Sequence, residues 1–369
     1  MRKGYDITVV TEGNEPYSFE HSYPIITIPM YSGNTFDWFI KTVWTLFTDW
    51  HNRVFAKKFL STLNIKHSTF NLVLCTTFSD FPLGAAQRIA QTLNVPLICD
   101  IRDLDEQVDH SVYQYHHQSK WLMPFRRLYR TIHIRRRNKV LRAADAITTV
   151  SPWHADFIQS IVQSSIFNLQ SSIIYNGFDA HQFYPEDVHT EEFRITYIGS
   201  LHDWQQPALE KVKAVIDDIN RQSSIVQSSI TLDLHTPQHH PLAHTELGDA
   251  IRRSSIILVL TGTHTHGMLT TKFYEALGCS KPVLCVPSDQ GDLAELIAYT
   301  NAGIATDDTR QIHDFIMEQY RQWQLNGYTA QPTIHRLDFS RETQCEHMEQ
   351  IIKSSIVKSS IVKSSIVKS

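Results

Sequence analysis

The sequence predicts an α/β protein built as two doubly wound domains. Three observations carry that reading. Short apolar, strand-like runs alternate with helical segments, the pattern of parallel sheets covered on both faces. The alternation breaks at Pro185 and then restarts. The chain of 369 residues is also too long for one ordinary core and suits two domains of roughly 150–200 residues.

The first series opens with Asp6-Ile-Thr-Val-Val-Thr11, a buried strand by composition. Thr42 to Leu63 reads as one helix, with Trp44, Phe47, Trp50, Phe55 and Phe59 near helical spacing. Asn71–Thr77 is the next apolar strand, followed by Gly84 and a helix through Leu93. Val95–Asp100 and Asp145–Val150 are two more strands, and Ile173–Tyr175 is a short fifth. After Pro185 come a strand at Arg194–Gly199, a helix at Pro207–Asn220 and a strand at Ile230–Leu234. A strand at Ser255–Leu260, a helix at Thr271–Gly278 and a strand at Pro282–Val286 complete the second series. In such sheets ligands sit beyond the carboxyl ends of the strands, which here means the cleft between the domains.

Composition narrows the function. Apolar residues make up 42% and charged residues 20%, a globular balance. The net charge of −4 becomes −8 for residues 1–352, once the four tail lysines are set aside. An acidic body argues against general nucleic-acid binding. No apolar run reaches the ~18 residues of a membrane span, and no signal region follows Met1. Cys75, Cys99, Cys279, Cys285 and Cys345 match no metal or redox spacing, which fits a reducing cytoplasm.

A five-residue repeat, Lys-Ser-Ser-Ile-Val, fills Lys353–Ser369, and Gln-Ser-Ser-Ile recurs at 163–166, 170–173, 222–225 and 227–230. Period five matches neither helix nor strand, so the repeat has no continuous apolar face. The internal copies read as insertions in loops, and the tail as a disordered extension; an assembly or membrane tail is the functional alternative.

Candidate chemistry concentrates in Thr271-Lys-Phe-Tyr-Glu-Ala-Leu-Gly-Cys-Ser-Lys-Pro-Val-Leu284. A carboxylate one turn into a cleft-facing helix, Glu275, can accept the two hydroxyls of a ribose. The amides at the helix start can hold a diphosphate, and Lys272 shares the face of Glu275. On spacing alone a surface Lys–Glu pair is the simpler reading. Asp103, Asp105 and Glu106 follow a strand and read equally as an acid–base cluster or a solvated helix start. His235, His239, His240 and His244 crowd a stretch that Pro237 and Pro241 interrupt, which favours a loop over a zinc site. Eight basic residues between Arg126 and Arg142, edged by Trp121, Phe125, Leu128 and Tyr129, fit either an anionic membrane surface or a solvated helix face.

The 271–284 block resembles the nucleotide-sugar signature of the family-4 retaining glycosyltransferases, which have the GT-B fold. Pro96–Asp103, Ala143–Pro152, Ile174-Tyr-Asn-Gly-Phe-Asp179, Ile195–Leu201, Gly291–Ile297, Asn301-Ala-Gly303 and Phe339-Ser-Arg-Glu342 resemble its other motifs in the family's order. There are departures. The family's first strand and Gly-rich turn have no counterpart before Gly4-Tyr-Asp-Ile, so the N-terminal domain is expected to lack that strand. Gly267 stands where the family has a second glutamate, with His264 or His266 nearby. Ser200 and Gln205 or Gln206 replace its usual Arg and Lys.

The resemblance implies an N-terminal acceptor-side domain (1–184), a nucleotide-sugar domain (185–337), a final helix crossing back (338–352) and the repeat tail (353–369). It implies transfer of a sugar from a nucleotide-sugar donor to a saccharide or lipid-linked acceptor with retention, in cell-surface polysaccharide synthesis. No metal or cofactor is expected. Asp103 and Lys272 are the implied catalytic residues; Gly199, Ser200, Gly262, His266, Gly267, Lys272 and Glu275 would hold the donor. The expected location is cytoplasmic, with residues 121–142 touching the inner membrane face. The other readings are a non-catalytic remnant of this fold and a nucleotide-sugar epimerase.

Overall fold

The computed structural model describes residues 4–13, 22–31, 35–63, 70–77, 79–107, 123–162, 171–222, 229–237, 240–262 and 266–366. The N-terminal half comprises β1 (Val9–Glu12), β2 (Ile25–Ile28), α1 (Thr35–Thr48), α2 (Trp50–Thr62), β3 (Val73–Thr77), α3 (Leu83–Leu93), β4 (Leu97–Ile101), α4 (Met123–Leu141), β5 (Ala146–Thr149), α5 (Pro152–Val162) and β6 (Ser171–Ile173). The C-terminal half comprises β7 (Arg194–Ile198), α6 (Gln206–Arg221), β8 (Thr231–His235), α7 (Leu247–Arg253), β9 (Ile256–Leu260), α8 (Thr271–Gly278), β10 (Val283–Val286), α9 (Asp292–Tyr299), β11 (Gly303–Ala305), α10 (Thr309–Asn326) and α11 (Arg341–Ile366).

The second half is a five-stranded parallel sheet in the order β11-β10-β9-β7-β8. Its middle strand, Ile-Ile-Leu-Val-Leu, is buried at every position, as helices on both faces require. One face packs Leu209, Val212 and Ile216 of α6 against Ile316 and Tyr320 of α10. The other packs Phe273, Tyr274 and Leu277 of α8 against Leu293 and Ile297 of α9.

The N-terminal sheet is in two parts. β3-β4-β5-β6 form one parallel sheet, β1 and β2 a separate parallel pair, and among the described residues no strand bridges them. β4, flanked on both sides, is fully buried. β3 pairs with β4 alone, and its Leu74 is 42% exposed. Val10 of β1, Ile26 of β2 and Val73 of β3 nevertheless border one cluster around Phe55, Phe59 and Ile89.

Four local expectations change. The helix expected over 42–63 is two, because Asp49 adopts a left-handed conformation (φ 55°) between α1 and α2. Its carboxylate accepts from Asn52 at 2.8 Å and Arg88 at 3.0 Å, which holds the bend. Phe55 and Phe59 consequently enter the core, while Trp44 and Phe47 are 56% and 73% exposed. The repeat copy at 170–173 forms edge strand β6 rather than a loop, pairing through Ser171–Ile173. The tail, expected to be disordered, continues α11 through Ile366. Ser, Ile, Val and Lys include no helix breaker, and extending a formed helix is easier than nucleating one. The basic run is not one solvated face. Buried Arg137 forms a two-pronged pair with Glu106 at 2.6 and 2.8 Å. Arg130 pairs with Asp105, and Arg136 donates to the Thr45 and Leu46 carbonyls at the end of α1. No helix among the described residues is long and apolar enough to cross a membrane.

Candidate functional site

Two groups of side chains meet along the junction of the halves. The first lies at the carboxyl ends of β7 and β9. Thr270 caps α8, its hydroxyl accepting from the Lys272 amide at 3.4 Å. Lys272 then folds back over the turn after β7. A β-carbon at Gly199, whose φ is 118°, would lie 2.6 Å from Lys272 Cε and would push the lysine from this position. The ammonium rests 4.7 Å from the centre of the Tyr197 ring and 3.4 Å from its hydroxyl. Tyr197 in turn donates to the Ser200 carbonyl at 2.6 Å and fixes the turn.

Burial pushes the Lys272 pKa below its ordinary value, with Glu275 opposing the shift. Burial also raises the Glu275 carboxyl, while His244, Arg341 and Lys272 pull it down. A cation short of counter-charge, beside the start of a helix, is suited to an anion. Gly262 lies two residues past the end of β9, and the segment 266–270 leads from the domain junction to the start of α8.

The second group is the junction itself. The His266 amide donates to the Gln107 carbonyl at 2.9 Å. The His266 ring stacks on Trp153 at 5.3 Å and 15°. Gly267 lies against Ser151, Trp153 and His154, and the Trp153 amide donates to Asp292 at 2.9 Å. Gln107 is the hub: its side-chain amide donates to Asp103 at 3.3 Å and accepts from the Leu104 amide at 3.1 Å and His154 Nε2 at 2.6 Å. Asp103 is exposed beside it.

The structure thus gathers Asp103, His266 and Gly267 at the junction, and Gly199, Ser200, Lys272 and Glu275 around α8. His264 and His239 lie outside the described residues. Asp105 and Glu106 are engaged by arginines and do not join Asp103. Among the described residues no group of three or more His, Cys, Asp and Glu side chains is placed to hold a metal ion. Sequence reading missed Gln107, Trp153, His154 and Tyr197. The first three matter through contacts between distant segments, which no local spacing reveals. Tyr197 sat within a strand already assigned to the core.

His154 carries a measurable consequence. It is 1% exposed, and because Nε2 donates to Gln107 its Nδ1 is left buried without a partner. Burial lowers its pKa from 6.5 to about 4, against the opposing pull of Asp103 and Asp292. The unfolded chain therefore binds the proton more tightly than the folded one. The stability contribution is complete above pH 6.5 and is lost as pH falls toward about 4, by about 1.4 kcal/mol per pH unit. Denaturant midpoints across that window should show a shallower fall in His154→Gln than in the parent. Parallel curves would contradict the assignment.

No protein-family model matches the chain, and no curated protein matches it by sequence. Solved structures do match in fold. A sucrose-phosphate synthase from Thermosynechococcus elongatus superposes with a TM-score of 0.62 at 15% identity, over 97% of this chain and 90% of that one. An α,α-trehalose-phosphate synthase (UDP-forming) from Burkholderia vietnamiensis gives 0.56 at 9% identity, covering 94% of each chain. Anabaena HepE, solved with UDP and glucose, gives 0.54 at 11% identity, over 90% of this chain and 86% of that one. With these structural neighbours, the two parallel-sheet halves constitute the GT-B fold.

Proposed function

We propose that this protein is a glycosyltransferase that takes a sugar from a nucleotide-sugar donor. The observation that carries the reading is the α8 site: Lys272 folded over Gly199 at the start of a helix, with Glu275 one turn further. The diphosphate would lie on the α8 amides and Lys272, with Glu275 accepting from the ribose. The leaving charge is then stabilised by groups already in place, without a metal. Gly262, His266 and Gly267 would shape the donor pocket, and Asp103 would face the acceptor. That HepE is solved with UDP and glucose, and that the trehalose-phosphate synthase is UDP-forming, favours a uridine donor. Retention at the anomeric carbon, a hexose as the transferred sugar and a role in cell-surface polysaccharide synthesis belong to this proposal through the family resemblance.

Peripheral contact with an anionic membrane rests on a smaller set than the sequence suggested. Arg127, Arg135 and Lys139 are exposed, with Phe125 and Leu128 on the same helix and Trp44 and Phe47 on α1.

Calorimetry with UDP and UDP-glucose tests the donor site. The parent protein should bind, and Glu275→Ala should weaken binding by about 1–3 kcal/mol, the scale of a lost charged hydrogen bond. Equal affinity in parent and variant would remove Glu275 from the site.

A further inference from the structure

The loop that leaves β4 carries three carboxylates, Asp103, Asp105 and Glu106, and each has a different partner. Asp105 pairs with Arg130 of α4. Glu106 takes both prongs of buried Arg137, at 2.6 and 2.8 Å. Asp103 pairs with no cation among the described residues; its hydrogen bond comes from the neutral side-chain amide of Gln107, at 3.3 Å. That amide has one permitted orientation. The Leu104 backbone N–H, at 3.1 Å, can only donate, so the Gln107 atom it meets is the carbonyl oxygen, and the NH₂ group is left facing Asp103. His154 Nε2 donates to the same oxygen at 2.6 Å. Gln107 is 5% exposed and His154 1%, so a buried pair fixes the direction of a bond to an exposed carboxylate. A guanidinium at this place would hold Asp103 as firmly but would neutralise it; an amide holds it and leaves its charge to the cleft.

We propose that Gln107 is a positioning residue for the transfer reaction, aiming the Asp103 carboxylate into the cleft without quenching it. Asp103 lies on an irregular, exposed stretch between β4 and a short 3₁₀ turn at Asp105–Gln107, where several rotamers are open to its side chain. The turn itself is pinned to α4 through Asp105 and Glu106, which gives Gln107 a rigid base. Gln107 also meets the other half. Its backbone carbonyl accepts from the His266 amide at 2.9 Å, on the segment that leads to α8. The residue that orients Asp103 is thus the one against which the C-terminal half rests. Holding a reacting geometry in place is worth orders of magnitude in rate, and a displacement of about 1 Å can cost a hundredfold. This role rests on the glycosyl-transfer reading, in which Asp103 faces the acceptor; the hydrogen bonds themselves do not depend on it.

Carbon-13 NMR of the full chain labelled at its aspartate carboxyls tests the contact without turnover, the Asp103 signal being the one lost in Asp103→Asn. Gln107→Glu keeps both acceptor bonds, to Leu104 and His154, but sets a second carboxyl against Asp103. The Asp103 signal should then follow two steps, separated by more than about one pH unit, where the parent shows one. A single unchanged step overturns the proposal. Arg102, paired with Asp100, and His154 and Asp292 are the same in both proteins. Kinetics test the role, as UDP release from UDP-glucose with D-glucose, D-fructose, myo-inositol or glucosamine. Gln107→Met should lower kcat about ten- to a hundredfold with UDP affinity unchanged. Added to Asp103→Asn it should slow the reaction by less than about twofold, because it acts only through that carboxylate. Losses that multiply would show a purely structural residue and overturn the proposal. Gln107→Glu, which donates to Asp103 only while protonated, should lose kcat as pH rises even if Gln107→Met fails to fold. A parent that binds UDP but releases none from UDP-glucose counts against glycosyl transfer, and the Asp103 titration still decides whether Gln107 holds that carboxylate.

Discussion

Lys272→Ala should lower kcat/KM for glycosyl transfer about a hundred- to a thousandfold, the usual loss when one pre-placed stabiliser of developing charge is removed. The sequence offers few substitutes. Ser200 stands where the family resemblance places an arginine, and Gln205 spends its side chain on the Leu260 carbonyl at 2.8 Å and the His202 amide at 2.9 Å. In the proposed site Lys272 would therefore carry the diphosphate together with backbone amides alone. Burial lowers the Lys272 pKa, and a bound diphosphate would raise it again, so nucleotide binding should take up protons at alkaline pH. Lys272→Arg should recover only part of the loss, because the Gly199 turn is shaped around a narrow chain. Activity of Lys272→Ala within a few-fold of the parent would show that the diphosphate lies elsewhere.

Gly303→Ala should destabilise the C-terminal half by at least about 3 kcal/mol, from overpacking added to an unfavourable backbone angle. Gly303 opens β11 with φ 155°, and a β-carbon there would lie 1.9 Å from the Val283 carbonyl oxygen. That carbonyl belongs to β10, which pairs with β11 in register, Val283 opposite Gly303. Neither strand can retreat, because Val283, Leu284 and Cys285 are fully buried. Chemical denaturation should show the shift directly, and a change below about 1 kcal/mol would mean that the β10–β11 edge is looser than its packing indicates.

Much of this fold was legible because it is written in local apolar runs. Ile256–Leu260 and Val283–Val286 are buried on both faces, so their composition alone marks them as inner strands. The α8 site was legible for a related reason: Lys272 and Glu275 sit three residues apart on one helix, and helical geometry guarantees a shared face. The missed features depend on what the chain meets in space. The Trp44–Phe59 aromatics look like one helical stripe, yet a left-handed Asp49 leaves Trp44 and Phe47 facing outward. Arginines 130, 136 and 137 look like a solvated basic face, yet each finds a carboxylate or a helix-end carbonyl from a distant segment. The Gln107–His154 contact and the Asp80–His133 pair join residues 47 and 53 positions apart, beyond any periodicity.

Product analysis bears most directly on the proposed activity. The full chain is incubated with UDP-glucose and a panel of soluble sugars, and nucleoside diphosphate and glycoside are quantified together. The expected result is one new glycosidic bond for each UDP released, with both formed at least about a hundredfold more slowly in Lys272→Ala. Tight UDP binding with no glycoside formed across nucleotide-sugar donors would contradict it, leaving a GT-B protein that holds a nucleotide but transfers nothing.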